Sequence, residues 1–117
     1  MTTRETVERY FDQLAAKSAW QESFADDMTF TSRTSPTKEV KGKAAYLEAT
    51  KRFYSTIRSV ELRQLLVDGP RAVALTRYEI QQPGGKPSFM SDVAEVFSVN
   101  GGRIDSLAIY FDSAPYR

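Results

Sequence analysis

The chain has 117 residues, 41% hydrophobic and 26% charged, with a net charge of +1 and neither cysteine nor histidine. That balance suits one globular domain spanning residues 1–117, large enough to bury a core without a disulfide or metal staple. It excludes thiol nucleophiles, thiolate or imidazole metal sites and any Ser-His-Asp triad, and leaves acid–base chemistry to Asp, Glu, Tyr or Lys.

No calcium-loop spacing is present, so neither metal nor cofactor is expected. Charges of both signs are interspersed, without the basic stripe that nucleic acid requires. Residues Met1 to Glu5 run directly into an amphipathic pattern. Neither a leader nor a membrane span is expected, and the cytoplasm is the expected compartment.

Thr2 and Glu5 have the spacing of a capping box, and Val7, Tyr10, Phe11, Leu14 and Ala15 then recur at helical spacing. Ser18 and Gln21 suggest a second cap, opening a short helix with Trp20 and Phe24 four apart and closed by the Asp26-Asp27 pair, read as turn and cap. Met28 to Ser32 alternates as a half-buried strand, with Met28 and Phe30 on one side. A loop at 32–37 and a possible edge strand at 38–40 lead to Gly42. Ala45, Tyr46, Ala49, Thr50 and Phe53 then mark the inner face of a third helix.

The second half predicts four strands, at about 57–67, 71–82, 88–99 and 103–112. Their separators, Asp68-Gly69-Pro70, Pro83 to Pro87 and Asn100-Gly101-Gly102, hold the residues that tight turns need. Short connections make these strands antiparallel neighbours. The expected architecture is α+β: three N-terminal helices packed on a strongly curved antiparallel sheet, forming a cone with an internal pocket.

Four segments carry a resemblance over nearly the whole chain. They are Phe24-Ala25-Asp26-Asp27-Met28-Thr29-Phe30, Lys41-Gly42-Lys43, Asp92-Val93-Ala94-Glu95-Val96-Phe97, and Gly102 to Leu107 leading to Tyr110-Phe111-Asp112. In order and spacing they resemble the nuclear-transport-factor-2-like superfamily, in its ketosteroid-isomerase and SnoaL-like polyketide-cyclase branch. The resemblance implies a cystatin-like α+β barrel and a homodimer through the open sheet face.

It also implies a site. Tyr10 matches the helix-one tyrosine that polarises a carbonyl oxygen in the isomerases, and Glu95 matches their protonated acid. The isomerase base does not carry over, because Ser32 stands in its place. The place of the cyclase aspartate holds Ile109. Phe30, Ser32, Phe53, Tyr78, Leu107, Ile109 and Phe111 would line the pocket, although the apolar ones serve equally well as plain core.

Glu95 is open to two readings: a carboxyl group facing the pocket beside Val93 and Phe97, or an outer-face partner of Arg77. A slip of one residue in register exchanges them. Asp92, at odd spacing from Glu95, belongs on the opposite face, and Asp112 reads as a cap or as a partner near the pocket mouth. Val73, Leu75, Val96 and Ala108 give the outer face an apolar character that calls for a partner. Three functions stay open: an isomerase, cyclase or lyase acting on a small apolar carbonyl compound, a non-catalytic binder of a small hydrophobic molecule, and a dimeric interaction module.

Overall fold

The fold is that of a computed structural model, which describes residues 1–34 and 36–117; Ser35, inside the expected loop, lies outside the described residues. Helix α1 spans Thr3–Ala15. Its capping box is formed as the spacing predicts: the Glu5 N–H donates to Thr2 Oγ1 at 3.1 Å, and the Thr2 N–H donates to Glu5 Oε1 at 2.9 Å. Val7, Tyr10, Phe11 and Leu14 are buried along one stripe; Thr6 joins them, while Ala15 is exposed.

The second helix is shorter than expected. Trp20–Ser23 makes only a four-residue 3-10 turn, entered through Ala19 in a left-handed conformation, with no side-chain cap from Ser18 or Gln21. Among the described residues there are thus two α-helices rather than three, with two short 3-10 turns at 20–23 and 114–116. Strand β1 already begins at Phe24 and runs to Ser32. Asp26 and Asp27 therefore lie exposed in extended chain and do not form a turn and cap. They sit at an irregularity between Phe24 and Thr29, which breaks the alternation on which a strand prediction depends.

β2 (Lys38–Lys41) returns along β1, and the chain turns into α2 (Lys43–Ser55) at Gly42. There follow β3 (Ile57–Asp68), β4 (Arg71–Ile80), β5 (Phe89–Asn100) and β6 (Arg103–Phe111), close to the expected bounds. The six strands form one sheet in the order β2-β1-β6-β5-β4-β3. It is mixed rather than wholly antiparallel, because β1 and β6 run parallel. The first and last strands of the chain are thus neighbours inside the sheet; α1 packs over β3 to β6, and α2 over β1 and β2.

Strict alternation along β4 and β5 fixes which side chains face the helices. Ala72, Ala74, Thr76, Tyr78 and Ile80 point inward from β4, and Ser91, Val93, Glu95, Phe97 and Val99 from β5. Phe97, Tyr10, Phe11 and Phe24 meet edge to face at ring separations of 4.9 to 6.0 Å, filling the base of the core. The other end stays open as a cavity.

Candidate functional site

Among the described residues Glu95 is the one charged residue of the core, with 3% of its surface exposed. Its strand position opposite Ala74 on β4 and Ile109 on β6 turns it inward. Arg77, its alternative partner, faces outward and pairs with Asp92 at 3.6 Å, which puts Asp92 on the solvent side. Two hydroxyl groups hold the Glu95 carboxyl: Tyr78 Oη–H donates to Oε2 at 2.6 Å and Thr76 Oγ1 lies 2.7 Å from the same oxygen. Burial raises the Glu95 pKa to about 7, against the pull of those two hydrogen bonds, which favour the charged form.

With Oε2 occupied, Oε1 is left for whatever enters the cavity that Glu95 lines. When Glu95 is ionised, Oε1 is free to accept from a ligand. When it is protonated, its hydrogen can sit on Oε1 and be donated to the ligand, or on Oε2 and be donated to Thr76 Oγ1, whose own proton then goes to the Val93 carbonyl at 3.1 Å.

Beside this carboxyl group runs a chain of phenols. Tyr10 Oη and Tyr54 Oη are 2.8 Å apart, and Tyr54 Oη also hydrogen-bonds to Tyr46 Oη. Three hydroxyls own three protons, and two of these are used within the chain, so one O–H remains to be donated outward. Tyr46 and Tyr54 line the cavity, while Tyr10 is enclosed by Phe11, Phe24 and Phe97. The outward proton can reach a cavity oxygen from Tyr46 or Tyr54, with Tyr10 polarising the chain from behind. Burial, foremost, and the neighbouring ionisable groups, including Glu95, raise all three hydroxyls and Tyr78 well above the ordinary tyrosine pKa. They stay neutral donors.

The cavity measures about 340 Å³. Phe30, Ser32, Phe53, Tyr78, Leu107, Ile109 and Phe111 all lie on its wall, together with Glu95. Tyr10 does not; its hydroxyl connects to the wall through Tyr54. Sequence reasoning missed Tyr54, Thr76, Lys38 and Tyr116, and placed Tyr46 only on the inner face of its helix. A signal existed for one pair: Tyr46, Thr50 and Tyr54 recur every four residues, a helical stripe of hydroxyls. Thr76 follows from parity with Tyr78 on β4. Asp112 accepts from the Ala114 N–H at 3.0 Å, a local contact two residues along the chain; the C-terminal 3-10 turn itself starts at Ser113 without a side-chain cap.

Residues 7–107 match the family model of the SnoaL-like domain. The chain belongs to the SnoaL-like family. No curated protein matches it. Among solved structures, the SnoaL-like chain superposes on a candidate SnoaL-like polyketide cyclase from Jannaschia sp. CCS1 with a TM-score of 0.83 and 16% identity, over 97% of this chain and 88% of that one. An NTF2-like protein of unknown function from Burkholderia pseudomallei K96243 gives 0.81 and 18%, over 97% and 93%. A candidate ketosteroid isomerase from Kribbella flavida DSM 17836 gives 0.74 and 20%, over 96% and 78%. At these identities the likenesses establish the SnoaL-like fold, and the site must be argued from its own atoms.

Proposed function

We propose that this SnoaL-like domain catalyses proton transfer on a small apolar carbonyl compound, with Glu95 as the group that moves the proton. One observation carries the reading: a buried carboxyl group, anchored through Oε2 by Tyr78 and Thr76, with Oε1 left to an apolar cavity. Isomerase, cyclase and lyase chemistry on a ketone shares one first step. Ionised Glu95 takes a proton from the carbon next to the carbonyl, the C–H electron pair becomes the enolate, and the negative charge gathers on oxygen. A hydroxyl of the Tyr10–Tyr54–Tyr46 chain donates to that oxygen as the charge develops. Glu95, now protonated, returns the proton to carbon. With a pKa of about 7, the group is poised for both halves of the cycle near neutral pH.

This assignment changes the role of Tyr10, which acts through Tyr54 rather than on the ligand. It also lets Glu95 stand in for the bases missing at Ser32 and Ile109.

The test is exchange of α-protons in D2O, followed by proton NMR on acetophenone and cyclohex-3-en-1-one. Wild-type protein should accelerate exchange over buffer, and Glu95→Gln should lose about 100-fold or more of that acceleration. The rate should rise with pH and level off above about 7, since the ionised form is the base. A profile that instead falls above 7 would assign Glu95 as donor only. Binding without exchange would favour the second reading, a non-catalytic carrier, which the mainly aliphatic and aromatic lining of the cavity supports. We further propose that two copies pair through the outer face of the sheet, away from the cavity.

A further inference from the structure

Four strands contribute one residue each to a single row on the cavity side of the sheet. Glu95 on β5 stands opposite Ile109 on β6, Ile109 is level with Ser32 on β1, and Ser32 stands opposite Lys38 on β2. All four line the cavity. The row starts at the buried carboxyl group and ends at an exposed ammonium group on the edge strand. Neighbouring strands lie about 4.8 Å apart, so three steps separate the two residues by about 14 Å along the sheet.

Glu95 and Lys38 are the charged members of the cavity wall among the described residues. Lys41, on the same short strand, is already matched by Glu39 at 3.8 Å, whereas Lys38 has no ion-pair partner among the described residues. A lysine side chain extends roughly 6 Å and its stem can lie along apolar wall. The Glu95 carboxyl leans the other way, toward Thr76 and Tyr78 on β4, so roughly 8 Å or more remain to be bridged by a ligand. Between the two ends the wall is mainly hydrocarbon and ring, from Ile109, Leu107, Phe30 and Phe111, with the Ser32 hydroxyl beside Lys38.

We infer that the cavity selects an elongated carbonyl compound bearing an anionic group, carboxylate or sulfate, at the end remote from the carbonyl, with Lys38 holding that anion while Glu95 meets the reacting end. The inference rests on the acid–base reading of Glu95 and names its substrate class. A ligand with a cationic tail meets repulsion at Lys38, and a ligand without charge gains nothing there.

The experiment is titration calorimetry with ω-benzoylalkanoic acids of increasing methylene number, each against its methyl ester, at low salt and a pH of about 8. At the best spacer length the acid should bind about three- to five-fold more tightly than its ester. Lys38→Met should reduce that preference to less than about two-fold, Lys38→Arg should keep it, and added salt at about 0.5 M should shrink it, because the lysine is exposed and screened. Equal binding of acid and ester, binding of neither, or a preference that persists in Lys38→Met overturns the inference. The two readings fail separately. Glu95-dependent exchange on esters without acid preference removes only the anion site. Acid preference dependent on Lys38 but without exchange removes only the acid–base role.

Discussion

Burial of Glu95 between Val93, Phe97 and the Tyr78 ring makes its charge expensive, and the folded state carries that cost as pH rises. Its folded pKa of about 7 exceeds the ordinary 4.5, so folding favours the protonated form. The stabilisation is fully present below pH 4.5 and is lost as pH climbs through 7. The gap amounts to on the order of 3 kcal/mol, at about 1.4 kcal/mol per pH unit. Glu95→Gln has no such titration. Urea unfolding of the two proteins across this window should therefore show the variant gaining on wild type by about that amount between pH 4.5 and 7.5. A constant difference would mean that Glu95 is not buried as described. Parity with Val93 and Phe97 made both of its orientations legible in the sequence; the choice between them was not, because register depends on distant partners. Tyr10 shows the same limit. Its place on the apolar stripe was readable, but the partner of its hydroxyl, Tyr54, lies 44 residues away.

Local rules read the ends of elements well where a single residue dictates the backbone. Gly42 opens α2 with φ +93° and ψ +139°, a conformation that side chains with a Cβ strongly disfavour. Its N–H donates to the Met28 carbonyl at 2.7 Å, tying the helix start to β1. Beyond its two chain neighbours, a methyl group here would meet open space among the described residues. Gly42→Ala should nonetheless destabilise the protein by roughly 1 to 3 kcal/mol in thermal or urea unfolding, through the backbone alone. Wild-type stability would show that the turn relaxes without cost. Residues 20–27 were hard to read for the opposite reason: no one residue decides there. Trp20 and Phe24 look like a helical pair, yet Trp20 stacks on Tyr54 of α2 at 4.0 Å and Phe24 enters the sheet core, so tertiary packing overrides the local pattern.

Across the described residues, one face of the sheet is covered by helices and the other is bare, and the register arranges the bare face into two apolar rows. Leu66, Val73, Val96 and Ala108 are level across β3, β4, β5 and β6. Leu75, Ala94 and Tyr110 are level across β4, β5 and β6. Leu66 and Tyr110 leave about half of their surface in water, 53% and 49%. The Arg77–Asp92 pair borders the second row, giving the apolar area a charged edge. If two copies bury these rows against each other, Ala94 lies near the middle, and an arginine there would set a long charged side chain into the contact. Sedimentation velocity should find wild type as a dimer and Ala94→Arg as a monomer. Ala94 points away from the cavity while its neighbour Glu95 points into it, so the monomeric variant should retain α-proton exchange within about three-fold of wild type. A monomeric wild type, or a dimer unaffected by Ala94→Arg, would remove the face as the interface. Loss of exchange together with the dimer would instead mean that pairing holds β5, and with it the Glu95 carboxyl, in its working position.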